Sequence, residues 1–186
     1  RNRGPAMRVL IDAIQQRHTP IRILRAGDRF DGGRRCSIRV LHPPAGGLLG
    51  KDNINSVVLS IEHAGRRILL PGDLEYQGMD LLLKSAPVPH DVVLSPHHGS
   101  QRSRPQLLVE WARPTWAVVS GGRLRPSDGL ESTYDPYGCG VQHTNVSGAV
   151  RVRLGPKGVI VTAYRSPSHA GCYGWDGLSS SEEATP

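Results

Sequence analysis

The sequence predicts an α/β protein with a mixed sheet and flanking helices. Three observations carry that expectation. Ile68-Leu69-Leu70 and Val92-Val93-Leu94 are short continuous apolar runs bounded by turn residues, the pattern of strands buried on both faces. Between them Met79, Leu82 and Leu83 recur at helical spacing, which predicts a crossover helix over Glu75–Ser85. Strand, helix, strand makes the two strands parallel neighbours, so the loops that leave them share one sheet edge. Ligands of such sheets bind beyond the carboxyl ends of the strands.

Both loops carry metal-ligand chemistry. Pro71-Gly72-Asp73 offers a carboxylate and Ser95-Pro96-His97-His98-Gly99-Ser100 offers two imidazoles. Oxygen and nitrogen donors of this kind suit Zn²⁺ or Mn²⁺. Gly72 and Gly99 allow a tight turn or a close backbone approach. Pro-Gly-Asp by itself is also an ordinary turn sequence. Its weight here comes from standing at the same topological place as the histidine pair.

Around this centre the elements follow in order. Met7, Leu10, Ile11 and Ile14 lie at i, i+3, i+4, i+7, which predicts a helix packing one face and ending at Thr19-Pro20. Ile21 and Ile23, then Cys36, Ile38 and Val40, alternate as two strands around the Asp31-Gly32-Gly33 turn. Asp28 and His42 read as structural. Gly46–Asn55 is a polar loop without the Lys-Ser/Thr pair of a phosphate-binding loop. Val57–Glu62 and Arg67–Leu70 flank Ala64-Gly65 as a hairpin, with Val57, Leu59 and Ile61 alternating against Val58 and Ser60. His63 falls at its turn. His90 precedes its strand and belongs at the opposite edge from the candidate site.

Ser103 and Gln106 have capping-box spacing, with Pro105 in the first turn of a helix whose Leu107, Leu108 and Trp111 face the core. Trp116–Ser120 is the next strand. Pro126–Gly140 reads as a long loop, His143 as a residue that could approach the site, and Val150–Tyr164 as a closing hairpin. Residues 1–164 are expected to form one partial domain and residues 165–186 a flexible tail.

Composition bounds the partners. The 186 residues carry a formal net charge of +7, which favours polyanions such as nucleic acid or anionic lipid. Arg102, Arg104, Arg123 and Arg125 fall in loops on the candidate edge, where they would form a basic rim for a phosphodiester backbone. Ordinary solvated arginines are the competing reading. Aromatic residues are 5% of the chain, too few to predict a base-stacking platform. No apolar run approaches the roughly 18–20 residues that span a bilayer. Cys36, Cys139 and Cys172 show no Cys-x-x-Cys spacing, so neither a zinc ribbon nor a disulfide framework is indicated.

Asn53-x-x-Ser56-Val-Val-Leu, Leu69-Leu-Pro-Gly-Asp73-Leu-Glu75 and Pro96-His97-His98-Gly99-Ser100 together resemble the C-terminal metallo-β-lactamase-fold domain of ComEC-type DNA-internalisation competence proteins, over about Ile21 to Tyr164. The resemblance implies the C-terminal half of an αββα sandwich and a dinuclear divalent-metal site, with Zn or Mn as the ions. It implies Asp73 as a shared carboxylate and His97 or His98 as a ligand. Asn53, Ser56, Gly99, Ser100, Arg102 and Arg104 would then face the substrate. It further implies DNA as partner, one strand of which is degraded during uptake. The parent would be a membrane protein whose channel segments adjoin this domain on the extracytoplasmic side.

The resemblance is incomplete. The family's His-x-His-x-Asp-His motif is absent, so the chain is expected to be a soluble piece lacking the N-terminal half of the fold and inactive alone. Where the family carries Gly-His-Pro, the chain reads Gly122-Arg-Leu-Arg-Pro126. Two other functions fit the same residues: a metallo-hydrolase of a small ester or phosphodiester, and a non-catalytic DNA-binding or structural domain.

Overall fold

One sheet of seven strands changes from antiparallel to parallel at its fourth strand, and that change positions the site. The computed structural model describes residues 4–33, 35–50, 52–121 and 130–164. Spatial order follows chain order: β1 (Arg29–Asp31), β2 (Cys36–His42), β3 (Val58–His63), β4 (Arg66–Leu70), β5 (Val92–Leu94), β6 (Trp116–Val119) and β7 (Gly140–His143). The pairs from β1 to β4 are antiparallel, and those from β4 to β7 are parallel. The expected α/β class, a mixed sheet with flanking helices, is what the chain adopts.

Local chemistry accounts for the change of direction. Ala64 and Gly65 both have positive φ, 52° and 75°, the two-residue turn that suits the twist of a hairpin, so β4 returns antiparallel beside β3. After β4 comes helix α2 (Tyr76–Leu83), and helix α3 (Pro105–Ala112) separates β5 from β6. A short helix, α4 (Leu130–Tyr134), precedes β7. Each helix carries the chain back, so β5, β6 and β7 enter parallel.

The core lies between the sheet and these helices. Leu69 and Val93 on the sheet meet Leu74, Met79 and Leu82 around α2 and Leu108 and Trp111 of α3. Ala117 and Val119 of β6 meet Val109 of α3 and Tyr134 of α4. Leu69 and Met79 are fully buried. Truncating a buried side chain of this size to Ala typically costs about 2–5 kcal/mol. A short helix, α5 (Thr144–Ser147), leads into a separate antiparallel hairpin of β8 (Val150–Gly155) and β9 (Gly158–Ala163).

Several expectations are corrected. Helix α1 (Pro5–Gln16) forms at the predicted spacing, yet none of its residues is buried, and Met7 and Leu10 are about half exposed, at 49% and 52%. The spacing sets the helix, and only Ile11 and Ile14 on that face are half-buried. Ile21 and Ile23 are exposed and lie outside any strand. The strand is Arg29–Asp31, because the turn bonds Gly32 N–H to Cys36 O and Cys36 N–H to Gly33 O, which pairs the residues nearest the turn. In β3 the fully buried face is Val58 and Ser60, while Val57 is exposed.

The capping box does not form. Arg104, in the left-handed conformation, occupies the cap with no side-chain bond, Pro105 follows at the first helical position, and Ser103 is buried in the preceding 3-10 turn. Leu107 is exposed and Val109 takes its place in the core. The stretch read as a loop to Gly140 holds α4, a 3-10 turn at Asp135–Tyr137 and the start of β7. Residues 122–129 and the expected tail at 165–186 lie outside the described residues.

His90 lies at the amino end of β5, the edge away from the candidate site, as expected. It is buried, with Nδ1–H donating to the Val88 carbonyl at 2.6 Å and Nε2 accepting from the Ser60 hydroxyl at 2.9 Å. Burial, partly offset by the Val88 bond, pushes its pKa down from 6.5 to about 4. Burial likewise lowers His42. Between those pH values the unfolded chain binds a proton that the folded chain refuses. Stability is therefore complete above pH of about 6.5, falls as the pH drops toward about 4, and levels off below, with His90 contributing on the order of 3 kcal/mol. Urea midpoints measured from pH 7.5 to 4 check this. They should fall with acid, and His90→Phe should flatten the fall.

Candidate metal centre

Parallel pairing of β4 with β5 brings the Asp73 loop and the histidine loop together, and a backbone bond fastens them. The His97 N–H donates to the Gly72 carbonyl at 3.0 Å. One loop therefore carries Asp73 a single residue from the point where the other carries His97. The histidine loop is also tied to β6, through Ser95 N–H to Val118 O at 2.8 Å.

The loop is tightly wound. His97 (φ 44°, ψ 51°) and His98 (φ 57°, ψ 26°) are both left-handed, and Gly99 follows at φ 86°. Such backbone costs a non-glycine residue about 1 kcal/mol or more, and it clusters at functional sites. Its product here is a pair of adjacent imidazoles, with ring centroids 6.0 Å apart and planes at 65°. His97 is half-buried and His98 exposed.

Each ring is held through Nδ1. His97 Nδ1–H donates to Glu75 Oε1 at 2.5 Å. His98 Nδ1–H donates to the Ser120 carbonyl at 2.7 Å, with the Ser120 hydroxyl at 3.3 Å. A carbonyl or carboxylate oxygen only accepts, so Nδ1 carries a hydrogen in both rings, and in a neutral ring Nε2 then keeps its lone pair. That is the tautomer of a metal-ligating histidine, whose other nitrogen is engaged by a carboxylate or carbonyl. Asp73 is exposed. Imidazole and carboxylate are donors of the kind that bind Zn or Mn. Among the described residues, however, no three His, Cys, Asp or Glu side chains are grouped so as to hold a metal ion.

The other sequence candidates are placed as follows. Asn53, in the 3-10 turn Asp52–Asn55, donates from Nδ2 to Glu75 Oε2 at 3.4 Å. Its amide is thus directed at the carboxylate that holds His97. Ser56 lies beneath Gly72, where an added Cβ would sit 3.5 Å from the serine Cβ. Gly99 is buried at the end of the histidine turn. The Ser100 N–H donates to His97 O at 3.0 Å, and its hydroxyl accepts from Arg102 N–H at 3.3 Å. Arg102 is exposed beside the site.

Arg104 does not present a free cation. Its guanidinium pairs with Asp80 of α2 at 2.7 Å. Arg123 and Arg125 lie outside the described residues. His143 is buried at the end of β7, in register with Val119 on the same edge, and the adjacent Thr144 hydroxyl accepts from Gly121 N–H at 3.1 Å. His42 donates from Nε2 to Ile54 O at 2.8 Å, and Asp28 accepts from Arg25 N–H at 3.1 Å, the structural roles expected of both.

Glu75 and Ser120 are the groups that sequence reasoning missed. A signal for Glu75 was available: a second carboxylate two residues past Asp73, at the start of a helix. Ser120 acts mainly through its backbone carbonyl, which leaves no trace in residue type.

The fold and this edge define a class: a mixed α/β protein with paired imidazoles and a carboxylate on adjoining loops past parallel strands. No family model matches the chain. Curated relatives do. It is 31% identical over 107 residues to Recombination protein 2 of Haemophilus influenzae, covering 55% of this chain and 14% of the relative. It is 29% identical over 114 residues to Competence protein ComA of Neisseria gonorrhoeae, covering 58% and 16%. It is 29% identical over 115 residues to ComE operon protein 3 of Bacillus subtilis, covering 61% and 15%. Over a little more than half its length the chain is similar to these proteins, which are of the ComEC type its motifs resemble, and it spans about one-seventh of their length. A crystal structure titled "Putative metal-dependent hydrolase", from Parabacteroides distasonis, superposes with a TM-score of 0.49 at 14% identity, covering 72% of this chain and 62% of that one.

The histidine turn depends on Gly99. At φ 86° any side chain is strained, and the residue is buried. Gly99→Ala is expected to cost about 1–3 kcal/mol and to shift the amide resonances of His97 and His98, as checked by thermal unfolding and NMR. Unchanged stability with an unmoved histidine loop would contradict the account of this turn.

Proposed function

We propose that the chain is part of a metal-dependent phosphodiester hydrolase domain that acts on DNA within a membrane-bound DNA-uptake protein. The observation that carries the reading is the junction of two loops that sets His97 and His98, each with Nδ1 engaged, next to the loop of Asp73. A divalent cation bound there would supply an activated water and neutralise charge on a phosphate. The chain's own residues do the rest. His97 and His98 would hold such an ion through nitrogen donors, and Asp73 would add a carboxylate. Gly99 lets the backbone turn at the site, and Ser100 with the exposed Arg102 stands where a phosphodiester would pass.

The names of the curated relatives, competence and recombination proteins, support DNA as the substrate. The basic balance of the chain agrees with that. A position outside the cytoplasm beside the parent's channel segments belongs to the same proposal. No helix among the described residues is long and apolar enough to cross a membrane.

The test uses the intact parent and the present chain side by side. Asp73→Asn in the intact protein is expected to lower metal-dependent DNA cleavage at least about 100-fold, as loss of a charged group that acts in the transition state does. Circular dichroism should stay unchanged, because Asp73 lies on an exposed loop. The chain of 186 residues alone is expected to show no sustained cleavage, since it offers at most three ligands, Asp73, His97 and His98, for two ions, and each catalytic ion usually needs about three protein ligands of its own. Full cleavage by Asp73→Asn would overturn the assignment. Robust cleavage by the chain alone would show that its own ligands suffice.

A further inference from the structure

We propose that Glu75, steadied by Asn53, is a positioning residue that fixes His97 as a metal-binding imidazole, in a chain of contacts reaching from the β2–β3 connection to the metal edge. The proposal rests on the metal-site reading above and extends it to residues that touch no substrate.

Glu75 stands at the cap of α2, with extended backbone (φ −138°, ψ 166°), yet its side chain makes no capping bond. Residues favoured at that position are those whose side chains bond the first helical N–H groups. Glu75 turns away from that task, and its side chain is 5% exposed. Burying a carboxylate is costly unless it is paired and hydrogen-bonded. Both oxygens are engaged: Oε1 accepts from His97 Nδ1–H at 2.5 Å and Oε2 from Asn53 Nδ2–H at 3.4 Å. A buried ion pair is weak evidence for stability by itself, because desolvation offsets most of the attraction. The arrangement fixes a tautomer and a ring plane.

Asn53 reaches Glu75 because its turn is pressed against α2. The Ile54 carbonyl would lie 2.3 Å from a Cβ added at Gly78, so only glycine on α2 admits that approach. The same carbonyl accepts from His42 Nε2–H at 2.8 Å. Three separated stretches of sequence, at His42, Asn53–Ile54 and Glu75–Gly78, thus converge behind His97. His98, by contrast, rests on a backbone carbonyl that carries no net charge. A carboxylate behind an imidazole raises its basicity as a ligand, and loss of such a partner typically costs about 10–100-fold in metal affinity. His97 is therefore the firmer ligand of the pair, and Asn53 works behind it rather than on the substrate.

The test is nitrogen-15 NMR of the imidazoles in the full chain, followed by titration with zinc. The wild-type chain should show His97 and His98 both as the Nδ1–H tautomer, with zinc-dependent shifts at each. In Glu75→Ala, His97 should move toward the Nε2–H tautomer while His98 stays unchanged, and zinc affinity should fall about 10–100-fold. Glu75→Gln, which keeps a carbonyl acceptor of the same shape, should hold the tautomer and lose less affinity. Asn53→Ala should give a smaller loss in the same direction. Unperturbed His98 signals in each variant show that the fold has survived. A Glu75→Ala chain whose His97 tautomer and zinc affinity equal those of the wild type overturns the proposal. Absence of any zinc-dependent shift in the wild-type chain overturns the metal-site reading itself, and is seen before any substitution is made.

Discussion

Parallel pairing of β4 with β5 is the constraint on which the site depends. Had the chain returned by a hairpin after Leu70, the loops bearing Asp73 and His97 would leave opposite edges of the sheet. Helix α2 prevents this. Its buried Met79 and Leu82 pack on Leu69 and Val93, so the chain recrosses the sheet and β5 enters beside β4 in the same direction. The register Leu69↔Val93 then sets the two strand ends level, and the Gly72 carbonyl finds the His97 N–H. Burial of side chains worth about 1.5–3 kcal/mol each thereby fixes the relative height of the two loops, which the His97–Glu75 bond then joins.

Behind that junction the polar groups follow a consistent logic. The buried carboxylate of Glu75 and the left-handed backbone of His97 and His98 each oppose folding by about 1 kcal/mol or more. They persist because the loop is tied on both sides, to Gly72 on one and to Val118 and Ser120 on the other. The surrounding structure holds this local cost in place. His90 and Ser60 at the far edge illustrate the alternative. They form a buried, satisfied pair beside Trp111, which lowers stability in acid and is enclosed by the core.

What could be read from sequence was what local spacing determines. The apolar runs at Ile68–Leu70 and Val92–Leu94 and the helical spacing of Met79 and Leu82 place β4, α2 and β5, and with them the two candidate loops. Ala64-Gly65 places the hairpin turn. Several failures depended on a partner far away in sequence. Strand β7 has little apolar signal of its own, and Gly140 is there because the Trp116 ring would lie 2.7 Å from any Cβ. The apolar face of α1 marks a helix, yet none of its residues is buried. Arg104 reads as a free cation until Asp80, on another helix, is placed beside it. Glu75 was legible as a carboxylate, though its bond to His97 needed the fold.

The central claim is that Asp73 and the histidine pair serve one metal site. Anomalous diffraction from crystals of the chain grown with Mn²⁺ or Zn²⁺ tests it most directly. The account predicts a peak at about 2.0–2.2 Å from His97 Nε2 and within direct reach of the Asp73 carboxylate. A peak seated elsewhere, or an Asp73 carboxylate more than about 10 Å from both imidazoles and so beyond any shared ligand distance, would contradict it.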